Sequence, residues 1–474
     1  MTRLGELLFG LNCSTIALYG LGTETLHAID ELQSDFTIIG LLDSYKTNGF
    51  QFGLPIIELY QCIEKKVEAV IVVARPGSCK AIARNIGDFC VNNGILLIDV
   101  RGKNLLEEKK TYYDFDQIVS QLSRSANRDA GEDFDRPHIR LFLERLSKIL
   151  EDGQRKGAVC IRDAYDIGYL FCAPLITDFV FWIQQMAKER GLSHILFCGR
   201  DGYLLKQLYQ MLDNSIPCSY FLTSRTAAVR SGVEDISDLE YVDSMKFSGT
   251  LEQNMLGRFG IDIRSCRADS LNEKGILKYK QEILARAEGQ RKAYLAYLDR
   301  LGCRDGNVAF VDFVAKGTTQ YFIGKFFPGH LTGLYFLRLE PEFMEDKALE
   351  IHPFFRDAEL EQCSLFDSYY IMETILTSPE PSLLGFAPTG EPLYAAETRS
   401  DRNIECVKRI QDGITDYFQK YIGMCGTELK IADKELDDKI LEIIHHVKIT
   451  DQDFQDLTVE DPFFNRQTGI TDVL

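Results

Sequence analysis

The feature that most limits what this chain can become is a rhythm of short apolar runs separated by helical stretches. Ser14–Tyr19, Thr37–Leu42, Ala69–Ala74 and Ile95–Asp99 read as strands. Helices are expected over Thr23–Gln33 and near residues 57–66 and 77–92. Runs this short and uniformly apolar are buried on both faces, as in a parallel sheet, and parallel neighbours need crossover helices. The rhythm resumes after residue 137 with helix His138–Leu150 and the apolar helix Pro174–Lys188. Strand Ile195–Cys198, helix Tyr203–Leu212 and strand Ser219–Leu222 follow. Strand Val308–Val311, helix Thr318–Phe327 and strand Leu331–Leu337 complete the second series, and a helical stretch with polar breaks, roughly 225–301, interrupts it.

The fold class predicted from this pattern is α/β. A Rossmann-like parallel-sheet domain (1–110) is joined by a polar linker (111–136), including Arg124–Pro137, to a second α/β domain (137–395) with a helical insertion. An acidic helical cap (396–474), for example Asp433–His446, closes the chain. A length of 474 residues exceeds one ordinary core, which agrees with more than one domain.

Charge and cysteine usage narrow the function classes. With 53 Lys and Arg against 71 Asp and Glu, the formal net charge is −18, which argues against nucleic acid as a partner. An anionic ligand must therefore be held by a local basic cluster. No apolar run is expected to approach the roughly 20 residues that span a bilayer, so no integral membrane segment is predicted. The N-terminus carries glutamate before its apolar stretch and no small-residue cleavage site, unlike a signal peptide. The 13 cysteines are scattered without a C-x-x-C, and Cys160, Cys172 and Cys198 lie within apolar runs as small core residues. The reducing cytoplasm is the expected compartment, including a peripheral position at the inner membrane face.

Chemistry concentrates where the predicted strands end. VAFVDFVAKGTTQ (Val308–Gln320) is a strand ending in Asp312, then a loop with Lys316, Gly317, Thr318 and Thr319. Backbone N–H groups, two hydroxyls and an ammonium converging on one point suit a phosphate. ILFCGRDGYLL (Ile195–Leu205) places Arg200 and Asp201 at a second strand end, with Lys206 just into the helix. The third strand ends in Thr223-Ser224-Arg225, with Arg230 five residues on. Arg offers forked donors to phosphate oxygens, and aspartates in such a pocket hold Mg²⁺ or ribose hydroxyls. Asp201 and Asp312 are thus the candidate metal and catalytic carboxylates. Gln320 reads equally as a residue of this loop or as a helix surface residue.

The first domain has its own loop, Gly20-Leu21-Gly22-Thr23-Glu24-Thr25, with Asp43 ending the next strand. Gly20, Gly22, Thr23 and Asp43 match the dinucleotide pattern of close phosphate approach and a ribose-binding acid, though Thr25 replaces the third glycine. A nucleotide or NAD is the ligand this loop would take. Gly40–Glu58 resembles the small Rossmann-type domains of bacterial glycan-modifying proteins. Some of those bind nucleotides or sugar nucleotides and others are plain scaffolds.

Two families share the second layout. Haloacid-dehalogenase phosphatases also have a strand followed by Asp-x-Asp-Gly, but the alignment puts Gly199 where their nucleophilic carboxylate stands, and no phospho-aspartate can form on glycine. ILFCGRDGYLLKQLY, YFLTSR, GTLEQNMLGRFGI, VDFVAKGTTQ and METILTSPEPSLLGF together resemble the glycan phosphoribosyltransferase domains of bacterial polysaccharide loci, over residues 160–395. Phe313 stands where that family's strand end has a second acid, and the loop is shortened.

The resemblance implies transfer of 5-phosphoribosyl from phosphoribosyl diphosphate to a glycan or lipid-linked glycan hydroxyl, with a separate phosphatase completing a ribofuranose. It implies that Arg200, Lys206, Ser224, Arg225 and Arg230 hold diphosphate, and that Lys316, Gly317, Thr318 and Thr319 cradle the 5-phosphate. Asp201 and Asp312 would face Mg²⁺ or ribose hydroxyls, and Glu373 would activate the acceptor. Two other readings stay open: a non-catalytic nucleotide- or sugar-nucleotide-binding regulator of a glycan locus, and a degenerate dehalogenase-like hydrolase.

Overall fold

The apolar runs of the first hundred residues pair side by side in a four-stranded parallel sheet. Its strands are β1 (Thr15–Tyr19), β2 (Thr37–Leu42), β3 (Ala69–Val72) and β4 (Leu96–Asp99), in the order β2-β1-β3-β4. In this computed structural model the described residues are 3–474 apart from 12, 45, 75, 107–110, 127–136, 151–155, 213–214, 246, 270–272, 361–362, 429–431 and 473. The chain divides into two compact units, Met1–Thr111 with Asp472–Leu474, and Tyr112–Thr471.

In the first unit, helices α1 (Arg3–Gly10), α2 (Thr23–Leu32) and α3 (Pro76–Asn92) accompany the sheet. Alternate residues of the strands feed two separate cores, one around Ile16, Leu18 and Ile71 and the other around Ala17, Val70 and Val72. A sheet covered on both faces explains why these strands are apolar throughout. The helix expected near 57–66 shrinks to Gln61–Glu64. Ahead of it, Phe50–Gln51 and Leu54–Pro55 form a tight hairpin whose central residues, Phe52 and Gly53, have φ of 52° and 78°. Positive φ at both centres is what a two-residue turn of this hand requires.

The second unit is built on a five-stranded parallel sheet. It contains β5 (His194–Cys198), β6 (Cys218–Phe221), β7 (Asn307–Ala315), β8 (His330–Arg338) and β9 (Ile351–Pro353), in the order β6-β5-β7-β8-β9. The last strand escaped the sequence reading because three residues ending in proline give no periodic signal. Part of the stretch expected as a linker is helix α4 (Phe115–Ala126), which packs on the C-terminal helix Lys434–Glu442; residues 127–136 lie outside the described set. The helix expected at His138–Leu150 is α5 (Pro137–Ile149).

A continuous helical stretch, Ala164–Glu189, combines a first turn, a π-helical segment (Gly168–Cys172) and α6 (Ala173–Glu189). Contrary to the expectation of no membrane-length run, it is long and apolar enough by composition to cross a bilayer. Its most apolar 18-residue window is instead 94% buried within the fold, and Phe179 meets Phe313 and Phe336 edge-on and Phe354 at a tilt.

Helix α7 (Gly202–Leu212) follows β5. The insertion between β6 and β7 is the helical series α8 (Arg225–Gly232), α9 (Ile236–Ser244), α10 (Leu251–Phe259) and α11 (Lys280–Leu301). Helix α12 (Thr318–Gly324) follows β7, and α13 (Leu365–Leu376) precedes a hairpin of β10 (Leu383–Phe386) and β11 (Pro392–Tyr394).

The C-terminal helices α14 (Asp401–Cys425) and α15 (Lys434–Glu442) belong to the same compact unit. At the crossing of α14 with Ala164–Ile167, a Cβ on Gly168 would stand 2.1 Å from Ile410 O, and one on Gly413 2.2 Å from Tyr165 O. Only a pair of glycines lets the two backbones come this close. The tail is not wholly helical: Lys448–Ile449 pairs with Cys160–Ile161, and β12 (Thr458–Asp461) and β13 (Arg466–Gly469) form a hairpin.

Candidate functional site

The order of the second sheet reverses direction at β5 and β7, since β6 lies on one side of β5 and the later strands on the other. In open α/β sheets this switch point opens a crevice at the carboxyl ends of the strands. Val311 of β7 pairs with Phe197 of β5, so Asp312 comes level with Cys198, and Gly199, Arg200 and Asp201 follow directly. Two carboxylates from the two strands therefore meet in the crevice.

Burial is the main cause that raises the proton affinity of Asp312, and the charge of Asp201 raises it further. The N–H of Phe313, which donates to Asp312 Oδ1 at 2.9 Å, and the charge of Arg225 oppose this without reversing it. Asp201 is also raised by burial, against the pull of Arg200. Burial, and after it the charges of Asp312 and Asp201, raise the proton affinity of the Cys198 thiol, so this cysteine is an inert wall. Two desolvated carboxylates held against each other make an arrangement that a divalent cation relieves.

Arg225, the first residue of α8, faces this pair. Its Nη1 donates to Asp461 at 2.9 Å, its guanidinium lies 4.9 Å from the Phe464 ring, and its buried Nε has no hydrogen-bond partner. Both Asp461 and Phe464 come from the β12–β13 hairpin. Tyr220, at the end of β6, feels the charges of Asp201 and Glu380, and Tyr394 also bears on it. Glu380 Oε2 is buried without a hydrogen-bond partner. Tyr220, Glu380, Tyr394, Asp461 and Phe464 were all missed in the sequence. METILTSPEPSLLGF pointed to the segment, but no periodicity tells which of its two glutamates turns inward.

Several expected roles change. Arg230 donates from Nε to Arg258 O at 2.9 Å and from its terminal nitrogens to Gly257 O and Leu384 O, so it ties α10 to β10 rather than holding diphosphate. Ser224 caps α8 at Ala227 N and donates to Leu383 O at 2.6 Å, which commits its hydroxyl to structure. Lys206, within α7, bonds Gln210 and acts on Cys218, which starts β6 at the opposite end of the sheet from the crevice.

The Lys316–Thr319 loop is also more occupied than expected. Lys316 pairs with Glu340 at 2.9 Å and lies over Phe464, and the buried Thr318 hydroxyl bonds Tyr241 at 3.0 Å. Gly317 takes φ 78° as the cap of α12, where a Cβ would stand 2.9 Å from Met344. Thr319 remains half-buried at the helix start.

Phe313 stacks on Phe336 at 4.0 Å on the opposite face of β7, which is why an acid cannot stand there. Gln320 is a core residue, not a surface one: it donates to Glu350 O at 3.1 Å and accepts from Tyr335. Glu373 lies half-buried on α13, a helix that packs on β7 and α7. At Gly199 a Cβ would already stand 3.1 Å from the Tyr220 hydroxyl, leaving little room for a nucleophilic carboxylate.

In the first unit, Gly20 has φ 146° and a Cβ there would meet Val73 O at 2.6 Å, so packing against β3 alone demands glycine. Gly22 caps α2 with open space around it. Asp43 accepts from Lys46 N at 3.1 Å, and of Thr23 only the backbone is described. A second polar cluster, His138 with Asp178 and Asp437, was not anticipated in the sequence.

A scan against protein-family models gives no match, and a search of curated proteins finds none with significant similarity.

Proposed function

We propose that the second unit is a glycan-directed phosphoribosyltransferase that moves 5-phosphoribosyl from phosphoribosyl diphosphate to a sugar hydroxyl. The observation that carries this reading is the pair Asp201 and Asp312 at the switch point, raised by burial and, for Asp312, by its neighbour, with Arg225 facing them. Those two carboxylates fit Mg²⁺, which when bound would neutralise charge building on the departing diphosphate.

Arg200 and Arg225 are the cations left to bind diphosphate oxygens once Arg230 and Lys206 are set aside. The orphaned Nε of Arg225 is a donor awaiting an acceptor. Lys316 would exchange the half-exposed Glu340 for the 5-phosphate, with Thr319 beside it. Glu380, half-buried at the rim with its Oε2 accepting no hydrogen bond, takes over from Glu373 as the group placed to accept a proton from an acceptor hydroxyl. Loss of diphosphate leaves positive charge on ribose, so positioning and charge stabilisation supply most of the rate.

The first unit, by the same reading, offers its Gly22 side to a nucleotide or NAD. The test is incubation of the protein with phosphoribosyl diphosphate, Mg²⁺ and candidate glycan acceptors. Release of diphosphate that depends on acceptor supports the proposal; no donor binding at millimolar concentration overturns it.

A further inference from the structure

The C-terminal helical layer contains a cluster unrelated to the crevice. His138 stands in the first turn of α5, Asp178 in the middle of α6 and Asp437 in the first turn of α15. All three are buried, and one ligand atom from each lies within 4.8 Å of the others.

The atoms around the cluster are arranged unevenly, and the unevenness is informative. His138 Nε2 is 3.1 Å from Asp178 Oδ1, while its Nδ1 is bonded to the Tyr417 hydroxyl at 2.6 Å. The ring is further fixed by stacking on Tyr421, with centroids 4.6 Å apart. Asp178 Oδ2 accepts the N–H of Asp433 at 3.0 Å. Each of these two residues thus has its outward atom held by a hydrogen-bonding partner, which leaves the inward atom aimed at the centre. Metal-ligating side chains are oriented in this way.

Asp437 is the exception. It is 0% exposed, no N–H or hydroxyl group reaches either carboxylate oxygen, and the one group close enough to share a hydrogen with it is the Asp178 carboxyl. A buried carboxylate with no donor costs several kcal/mol by general experience. The charges acting on it most strongly after burial are other carboxylates, namely Asp178, Asp433 and Asp438. Asp433 is turned to cap α15, and Asp438 is turned to Ser364 and Leu365, so neither offers Asp437 a proton. An imidazole nitrogen and two carboxylates within reach of one point make a donor set for a divalent transition cation.

We propose that His138 Nε2, Asp178 and Asp437 bind a divalent transition cation of the zinc type. Bound there, it clamps α5 and α15 onto α6. All three donors are buried among packed helices, so the ion serves stability rather than turnover. This inference stands independently of the transferase reading.

The test is the metal content of the full-length protein, produced in medium supplemented with zinc, manganese and iron and measured by plasma mass spectrometry. About one tightly bound ion per chain is expected. It should survive desalting, and chelator removal should lower the melting temperature, with Zn²⁺ restoring it. Asp437→Asn and His138→Gln should each lose most of the ion. Tyr417→Phe should weaken retention by about 10–100-fold, as expected when a group orienting a ligand is removed. Asp201→Asn should leave the ion in place.

Wild-type protein without bound metal, or a metal content unchanged by Asp437→Asn and His138→Gln, overturns the proposal. So does an Asp437→Asn variant that melts higher than wild type with no metal in either, because Asp178 and Asp437 would then be sharing a proton.

Discussion

Replacing Asp312 by Asn tests the switch-point pair from two directions. The substitution preserves shape and removes one of two carboxylates that meet in the crevice. Asp312 is raised chiefly by burial and next by Asp201. Each tenfold change in proton affinity is worth about 1.4 kcal/mol, and the substitution removes both the buried charge and its repulsion from Asp201. Without divalent cation at pH 8, Asp312→Asn should therefore stabilise the second unit, read as a rise in melting temperature of roughly 2–4 °C for each 1 kcal/mol gained.

The pH dependence has a definite sign. A carboxyl raised in the folded state binds protons that the unfolded chain releases. Its folded-state penalty is absent below the ordinary carboxylate range and grows as pH rises through the raised value. Wild type should lose stability relative to Asp312→Asn across that window. Divalent cation should reverse the ranking: at a hundredfold excess over its dissociation constant it stabilises the wild type by about 2.7 kcal/mol, and the variant by far less. Calorimetric melts of both proteins, with and without Mg²⁺ or Mn²⁺ from pH 5 to 9, read every term. An Asp312→Asn protein that is less stable without cation at pH 8, and that gains as much from cation as wild type, would refute the reasoning.

Other substitutions test the scaffold. Arg258 is fully buried and donates to the carbonyls of Phe463, Val242 and Met245, so Arg258→Ala should cost about 3–5 kcal/mol in chemical denaturation by stranding those acceptors. In the first unit, Gly20→Ala should cost at least about 2 kcal/mol, because its φ of 146° and the nearby Val73 O leave no place for a methyl group. Gly22→Ala should cost less than about 1 kcal/mol, the worth of a helix cap in open space.

The strands and the aspartate pair were legible in the sequence because both rest on local signals. A short apolar run ending in a polar residue marks the carboxyl end of a strand, and the pleat then sends Asp312 and Phe313 to opposite faces. What was not legible depends on partners far away in the chain. Arg230 and Arg225 look alike in sequence, yet one meets the carbonyls closing α10 and the other meets Asp461. Lys316 seemed free until Glu340 and Phe464 came beside it. The membrane-length stretch Ala164–Glu189 was divided by its π-helical turn and by Pro174, so only its second half was read as a helix. His138, Asp178 and Asp437 sit in three helices whose meeting no spacing announces.

The central claim is a cation-dependent phosphoribosyl diphosphate site made by Asp201, Asp312 and Arg225. Titration calorimetry of the donor into wild type and the Asp201→Asn, Asp312→Asn double variant, each with Mg²⁺ and with chelator, tests it most directly. The account predicts saturable binding by wild type that disappears with chelator and in the double variant. Binding that is equally strong in all four titrations, or none in wild type at millimolar donor, would contradict it.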